Sequence, residues 1–249
     1  MKYNTMQKPP SNLDQYEAKA FSQFGEDGIS KYIFDKIKND NYYFVEIGTQ
    51  DGSECNTRYL RENLNWQGIQ FDAKYENSLI NLKKHMVTRE NIIDIFKSYN
   101  IPAKFDYFSL DIDGIDWYIL YEVLSNYEVR AFVCEYNACL GPKRDQVIEY
   151  DAEFWDAGPY NIYHGASLKA FCNLASSKGY SLVHSNGVNA FFINNKHWTK
   201  QEDFPNMGNL EELWKDYPEF LGYRFLHDHP THEHANFNTS ELLLELLKK

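Results

Sequence analysis

The chain reads as an α/β protein, a doubly wound, seven-stranded and mostly parallel sheet that ends in an antiparallel C-terminal hairpin. Three observations predict it. Short apolar runs that end at turns alternate with helix-spaced segments along most of the chain, the pattern of a parallel sheet. FDYFSLDI (105–112) is apolar at most positions rather than alternating, as in a central strand covered on both faces. YSLVHS and NAFFINN flank Asn186-Gly187, the dipeptide of a tight hairpin turn.

The elements follow in order. Residues 1–15 are polar and read as an arm. From Glu17 to Lys38 the pattern fits a helix interrupted near SQFGEDG, with Ile29, Ile33, Phe34 and Ile37 on one face. YYFVEIG (42–48) is a buried strand, NTRYLRENL a helix and GIQFDA (68–73) the second strand. YENSLINLKKH is expected as a helix, and MVT (86–88) as a short third strand before the helical RENIIDIFKSYN. FDYFSLDI, the helix WYILYEVL and the strand VRAFVCEY (129–136) come next. A polar excursion over 138–166 leads to the helix SLKAFCNLASSKG, whose glycine lies just past its end. The closing hairpin precedes a tail from about 197, which ends in the amphipathic TSELLLELLKK. The expected organisation is an arm over 1–20, one domain over 21–196, and an extension over 197–249 packing on or near the substrate site.

The 249 residues suffice for one large core with appendages. A formal charge of −11 argues against a nucleic-acid backbone as partner. Cys55, Cys134, Cys139 and Cys172 have no CxxC spacing and read as reduced thiols. No apolar leader and no run approaching eighteen apolar residues is present, so a cytoplasmic protein without a membrane partner is expected.

The chemistry gathers at strand ends. V-E-I-G-T-Q-D-G closes the first strand with an acid and spaced glycines, which let a ligand approach the backbone closely. It lacks the GxGxxG of dinucleotide folds. Glu46, Gly48 and Gly52 fit the E/DxGxxxG turn of methyltransferases instead, although any strand-to-helix turn can hold two glycines. Asp72 ends the second strand, where an acid can accept both hydroxyls of a ribose or simply be a solvated loop aspartate.

Taken as an ordered set, FSQFGEDG, FVEIGTQDG, NTRYL, WQGIQFDA, SLDIDGIDW, VCEYNACLGP, YHGASLKAF and KGYSLVHSNGVNAFF resemble the FkbM-type family of class I S-adenosylmethionine-dependent methyltransferases, over residues 21–195. The resemblance implies the Rossmann-like methyltransferase fold and S-adenosylmethionine as cofactor. It implies that Gln23, Gly25, Glu26 and Asp27 cover the methionine end. Glu46, Gly48 and Gly52 would form the bed with Asn56, Thr57 and Asp111 beside it, and Asp72 would hold the ribose. MVTREN is shorter than the family's third strand and leaves Thr88, Glu90 and Asn91 unassigned.

In such a sheet Asp111, Glu135 and Asn137 end neighbouring strands. Two carboxylates and an amide oxygen suit Mg²⁺, which would clamp a substrate hydroxyl and lower its pKa. The alternative is that Asp111 and Asp113 cap the helix beginning near Asp116. A hydroxyl acceptor also needs a general base, for which Asp113, Asp116 and His164 are candidates, with His164 preferred. His227, His229, His232 and His234 crowd HDHPTHEH, but Pro230 breaks any helix, so a solvated loop or a pocket wall is favoured over zinc.

The expected function is O-methylation of a sugar or nucleotide-linked sugar, such as a heptose of a capsular polysaccharide. Tyr150, Phe154, Trp155, Tyr160 and Tyr163 are available to stack on a sugar or base. The alternatives are a metal-independent N- or carboxylate methyltransferase and a silent adenosyl-binding scaffold. The partner would be that small molecule, with a homo-oligomer left open.

Overall fold

Asp27 explains how the described chain begins. Its Oδ2 accepts from the backbone N–H groups of Ala20, Phe21 and Ser22 at 2.8, 2.6 and 2.8 Å, folding that segment back over helix α1 (Glu26–Lys36). The predicted helix from Glu17 is therefore a loop up to Gly25, which caps α1 at a φ of +101°. A side chain competes with helical carbonyls for those three donors and wins. Gly28 completes the fit, since a Cβ there would come 2.0 Å from the Tyr16 carbonyl oxygen. The computed structural model describes residues 13–153, 164–198, 200–216 and 237–248.

Strand β1 (Tyr43–Ile47), helix α2 (Arg58–Leu64) and strand β2 (Gln67–Asp72) follow as the pattern predicts. The third strand does not. The expected helix over 75–85 is a short 3-10 turn, Ser78–Ile80, followed by β3 (Leu82–Lys84). The expected strand at 86–88 is absent. Asn77 caps the turn through its side chain and Asn81 leaves it at a φ of +55°, so the segment turns before a helix can propagate. Leu82 then goes into the core while Lys84 stays exposed on the sheet edge, a charged edge of the kind that resists pairing with other chains.

Helix α3 (Ile92–Ser98), strand β4 (Lys104–Leu110), helix α4 (Asp116–Asn126) and strand β5 (Glu128–Glu135) continue the alternation. After β6 (Val147–Ile148) come helix α5 (Leu168–Ser177) and the hairpin of β7 (Tyr180–Ser185) and β8 (Asn189–Asn194). The sheet runs β3-β2-β1-β4-β5-β8-β7, parallel through β5, with β8 antiparallel to both its neighbours. The sequence-based fold class is thus the observed one.

Both faces are covered, which is why β4 is apolar at most positions, its buried Asp106 and Ser109 being hydrogen-bonded. Tyr107 faces Phe34 of α1 edge-on at 5.4 Å, with Val133 and Phe191 in the same layer. Phe108 faces Phe96 of α3 at 6.3 Å, while Phe132 stacks on Phe192 at 4.7 Å. Each fully buried ring of this size contributes about 2–3 kcal/mol by removal from water.

The tail returns to the core. After the short α6 (Leu210–Leu213), β9 (Phe237–Asn238) pairs antiparallel with β6, and α7 (Ser240–Leu246) packs on α5 through Leu243 and Leu244. The four cysteines are free thiols. Among the described residues no helix is long and apolar enough to cross a membrane.

Candidate active site at the carboxyl ends of the strands

The first turn is held from beneath. Gly48 continues β1 at a φ of +87°, and a Cβ there would lie 1.5 Å from the Asp111 carbonyl oxygen. The glycine therefore lets the ends of β1 and β4 meet, and Asp111 N–H donates to Ile47 O at 3.1 Å. Gly52, at a φ of +78°, makes room for Ile80, whose Cδ1 would be 2.4 Å from a Cβ.

Glu46 also faces inward. Its carboxylate accepts from the N–H groups of Asn56 and Thr57, from the hydroxyls of Thr57 and Ser109, and from Gln70 Nε2, at 2.5–3.3 Å. Five donors fill a carboxylate's acceptor capacity. Glu46 thus anchors the start of α2. The same bonds commit Thr57 and Asn56, whose Nδ2 also donates to Ser109 Oγ at 3.1 Å. These three residues, expected beside the cofactor, hold the turn together through one another.

Asp72 stands at the next strand end. Its Oδ2 accepts from Gln50 N at 2.8 Å, and its Oδ1 from Lys74 N and Tyr75 N at 2.7 and 3.1 Å. These bonds tie the β1 turn to the β2 turn. Of the segment expected over the methionine end, Gln23 is exposed while Gly25, Glu26 and Asp27 are buried. Glu26 accepts from Phe24 N at 2.7 Å, and from the side-chain amides of Asn186 and Asn189 at 2.7 and 2.9 Å. It couples α1 to the closing hairpin.

The acidic centre lies one strand over. Leu110 and Cys134 are paired in register, so Asp111 and Glu135 emerge side by side. Carboxylate oxygens of Asp111, Asp113 and Glu135 all lie within 4.8 Å of one another. Asp113 returns to its neighbours because the loop is wound tightly. Its own φ is +60°, and Asp116 holds the loop by accepting from Ile112 N and Gly114 N, both at 2.9 Å. Neither Asp111 nor Asp113 caps α4, whose N-cap position is Ile115 with no side-chain cap bond; Asp116, its first residue, instead braces the loop before it.

Desolvation and the neighbouring acids push the Asp111 and Glu135 carboxyls well above the usual range, and the two share a hydrogen bond, Glu135 donating. Burial pushes Asp116 up to about 6. Such a concentration of charge calls for a proton or a cation. Oxygens on opposite sides of an octahedral Mg²⁺ stand roughly 4 Å apart, so the three carboxylates would need to close in by less than about 1 Å. The donor set is hard oxygen throughout and fits that ion.

Asn137, expected as a third ligand, is otherwise engaged. Its Oδ1 accepts from Cys139 N at 3.1 Å and its Nδ2 donates to His164 O at 3.0 Å. The third carboxylate of the cluster is Asp113. That bond also anchors the His164 backbone at the end of β5. Tyr150 packs edge-on against Tyr118 at 5.0 Å, with its hydroxyl on Glu90 Oε2 at 2.5 Å. Phe154, Trp155, Tyr160, Tyr163 and the four histidines of 227–234 lie outside the described residues.

A second group of possible cation-holding residues, Asp14, Glu17 and His184, already meets a cation. Lys215 Nζ stands 2.6 Å from Asp14 Oδ1 and 3.0 Å from Glu17 Oε1. His184 Nε2 is 2.8 Å from Glu17, and burial pushes its imidazole down. The sequence offered no sign of this lock, because its members are 201 positions apart at their extremes.

No family model and no curated protein matches the chain. Solved structures do. The citrinin polyketide synthase CMeT domain superposes with a TM-score of 0.37 at 8% identity, over 61% of this chain and 46% of that one. The small RNA methyltransferase HEN1 superposes with a TM-score of 0.36 at 12% identity, over 69% and 26%. The chain thus spans about half the length of the first and a quarter of the second. The fold assignment rests on the strand order and the reversed β8, which are those of the class I methyltransferase sheet.

Proposed function

We propose that the chain is an S-adenosylmethionine-dependent O-methyltransferase, acting on a hydroxyl of a sugar or nucleotide-linked sugar with a divalent cation at Asp111, Asp113 and Glu135. The single observation that carries this reading is the meeting of three carboxylates within 4.8 Å, at the same sheet end as the Gly48 turn and Asp72. In open α/β sheets that end is where ligands bind. The motif set resembling the FkbM-type family supports the acceptor class.

S-adenosylmethionine, when bound, supplies an electrophilic methyl group, and Mg²⁺ supplies a Lewis acid for the acceptor hydroxyl. The chain's residues do the rest. Asp72 and the Gln50 backbone that it fixes position the ribose. Gln23, exposed above the turn, reaches the methionine end. Asp111 and Glu135 orient the acceptor beside the methyl group, and the alignment removes much of the entropic barrier. His164, whose backbone carbonyl Asn137 holds two residues beyond Glu135, takes the hydroxyl proton.

The test is calorimetric binding of S-adenosylmethionine, followed by turnover on nucleotide-linked sugars read by mass spectrometry with Mg²⁺ and with EDTA. Saturable cofactor binding and methyl transfer that EDTA abolishes are expected. Absent cofactor binding would overturn the reading. Methyl transfer indifferent to EDTA would remove the cation and leave the shared proton of Asp111 and Glu135 as the site's charge balance.

A further inference from the structure

One buried side chain beside the acidic centre has an amide oxygen with no hydrogen-bond partner among the described residues. Asn189 opens β8 directly opposite Glu135, the last residue of β5. Residues directly paired in an antiparallel ladder project from the same face, with their Cβ atoms about 5 Å apart. The amide of Asn189 therefore rises on the face from which Glu135 reaches Asp111. It is 97% buried, being 3% exposed.

The orientation of that amide is fixed. Glu26 Oε1 can only accept, and it takes the Asn189 Nδ2 donor at 2.9 Å. Oδ1 must then point away from Glu26. It is buried and has no hydrogen-bond partner among the described residues. An unsatisfied buried carbonyl is a cost that folded proteins rarely retain without a partner. Asn186 makes the contrast, because its Nδ2 binds the same Glu26 oxygen while its Oδ1 accepts from Val188 N and Asn189 N. Two amides share one carboxylate, and one of the two keeps a spare oxygen beside Glu135.

We propose that Asn189 is a positioning residue of the divalent-cation centre, its Oδ1 accepting a hydrogen bond from a water held there with Asp111, Asp113 and Glu135. This rests on the cation reading of the site above. A neutral oxygen suits the place, since a fourth carboxylate would add to charge that is already crowded. Glu26 then has a defined task. It holds the amide in the one orientation that presents oxygen to the centre, and so links the α1 N-terminus to the cation.

The experiment measures Mn²⁺ binding by electron paramagnetic resonance on the full chain, alongside S-adenosylmethionine affinity and thermal midpoint. The wild-type protein should bind Mn²⁺. Asn189→Ala should weaken that binding about tenfold, the usual effect of removing an outer-shell partner, with cofactor affinity unchanged. Asn186→Ala, which removes the other amide from Glu26 but no spare oxygen, should leave Mn²⁺ affinity as it was. Equal weakening in the two variants would reduce Asn189 to a structural bond and overturn the inference, as would no weakening in Asn189→Ala. If wild-type protein binds no Mn²⁺ while still binding cofactor, the cation reading fails together with this one. Wild-type binding with an unaffected Asn189→Ala sinks this one alone.

Discussion

A Cβ at Gly48 would lie 1.5 Å from the carbonyl oxygen of Asp111. The glycine of the first turn is therefore what lets the acid of β4 reach its place. Gly48→Ala combines a left-handed backbone with a clash against main chain that cannot rotate away. A loss of about 3–4 kcal/mol is expected, a fall in melting temperature on the order of 10 °C for a chain of this size. Calorimetry checks it, and an unchanged midpoint would mean that the two strand ends stand further apart.

Asp111 and Glu135 should trade stability for function. Both carboxyls are raised by desolvation and by neighbouring acids, so in EDTA the fold carries a buried, crowded negative charge even with one proton shared between them. Asp111→Asn relieves it. The variant should melt a few degrees higher than wild type in EDTA, yet lose turnover and the stabilisation that Mg²⁺ gives the wild type. A variant destabilised under both conditions would make Asp111 a structural acid.

Glu46 should behave in the opposite way. Its carboxylate holds five donors, from Asn56 and Thr57 just ahead of α2, Gln70 of β2 and Ser109 of β4, so Glu46→Ala leaves several buried groups unsatisfied. Destabilisation of about 3–5 kcal/mol in urea unfolding is expected. Intact stability with lost S-adenosylmethionine binding would return Glu46 to the cofactor's bed.

The site also has a pH signature. Burial raises Asp116 to about 6, against about 3.9 for an unfolded aspartate. The folded state therefore binds that proton more tightly. Its contribution is fully present below about pH 4 and is lost as pH rises through about 6, on the order of 2–3 kcal/mol. Asp111 and Glu135 shift in the same direction. In EDTA the stability gap between wild type and Asp111→Asn should narrow as pH falls from 7 toward 5. Thermal midpoints across that range read it, and a gap that stays constant would deny the raised carboxyls.

What could be read in advance follows from the range of the forces involved. The apolar run of β4, the Asn186-Gly187 turn and the alternation of strands with helices are local patterns, and each element formed from them lies where its residues put it. The third strand was misplaced because Leu82–Lys84 offers only three residues, and its pairing with β2 outweighs any local preference. Short edge strands carry almost no periodicity to read.

The acids of the site were legible as residue types at strand ends, since Asp111 and Glu135 follow apolar runs of β4 and β5. Their partners were not. Only the folded sheet decided that Asp113 joins them through a loop held by Asp116, that Asn137 bonds Cys139 and His164, and that Asn189 stands opposite Glu135. Glu46 and Glu26 likewise took roles that no spacing reveals. Sequence sets which side chains reach the carboxyl end of the sheet, because side-chain alternation and apolar burial act over a few residues. Strand register, and competition for buried hydrogen-bond donors between segments as far apart as Glu26 and Asn189, settle which of those side chains is left facing a ligand.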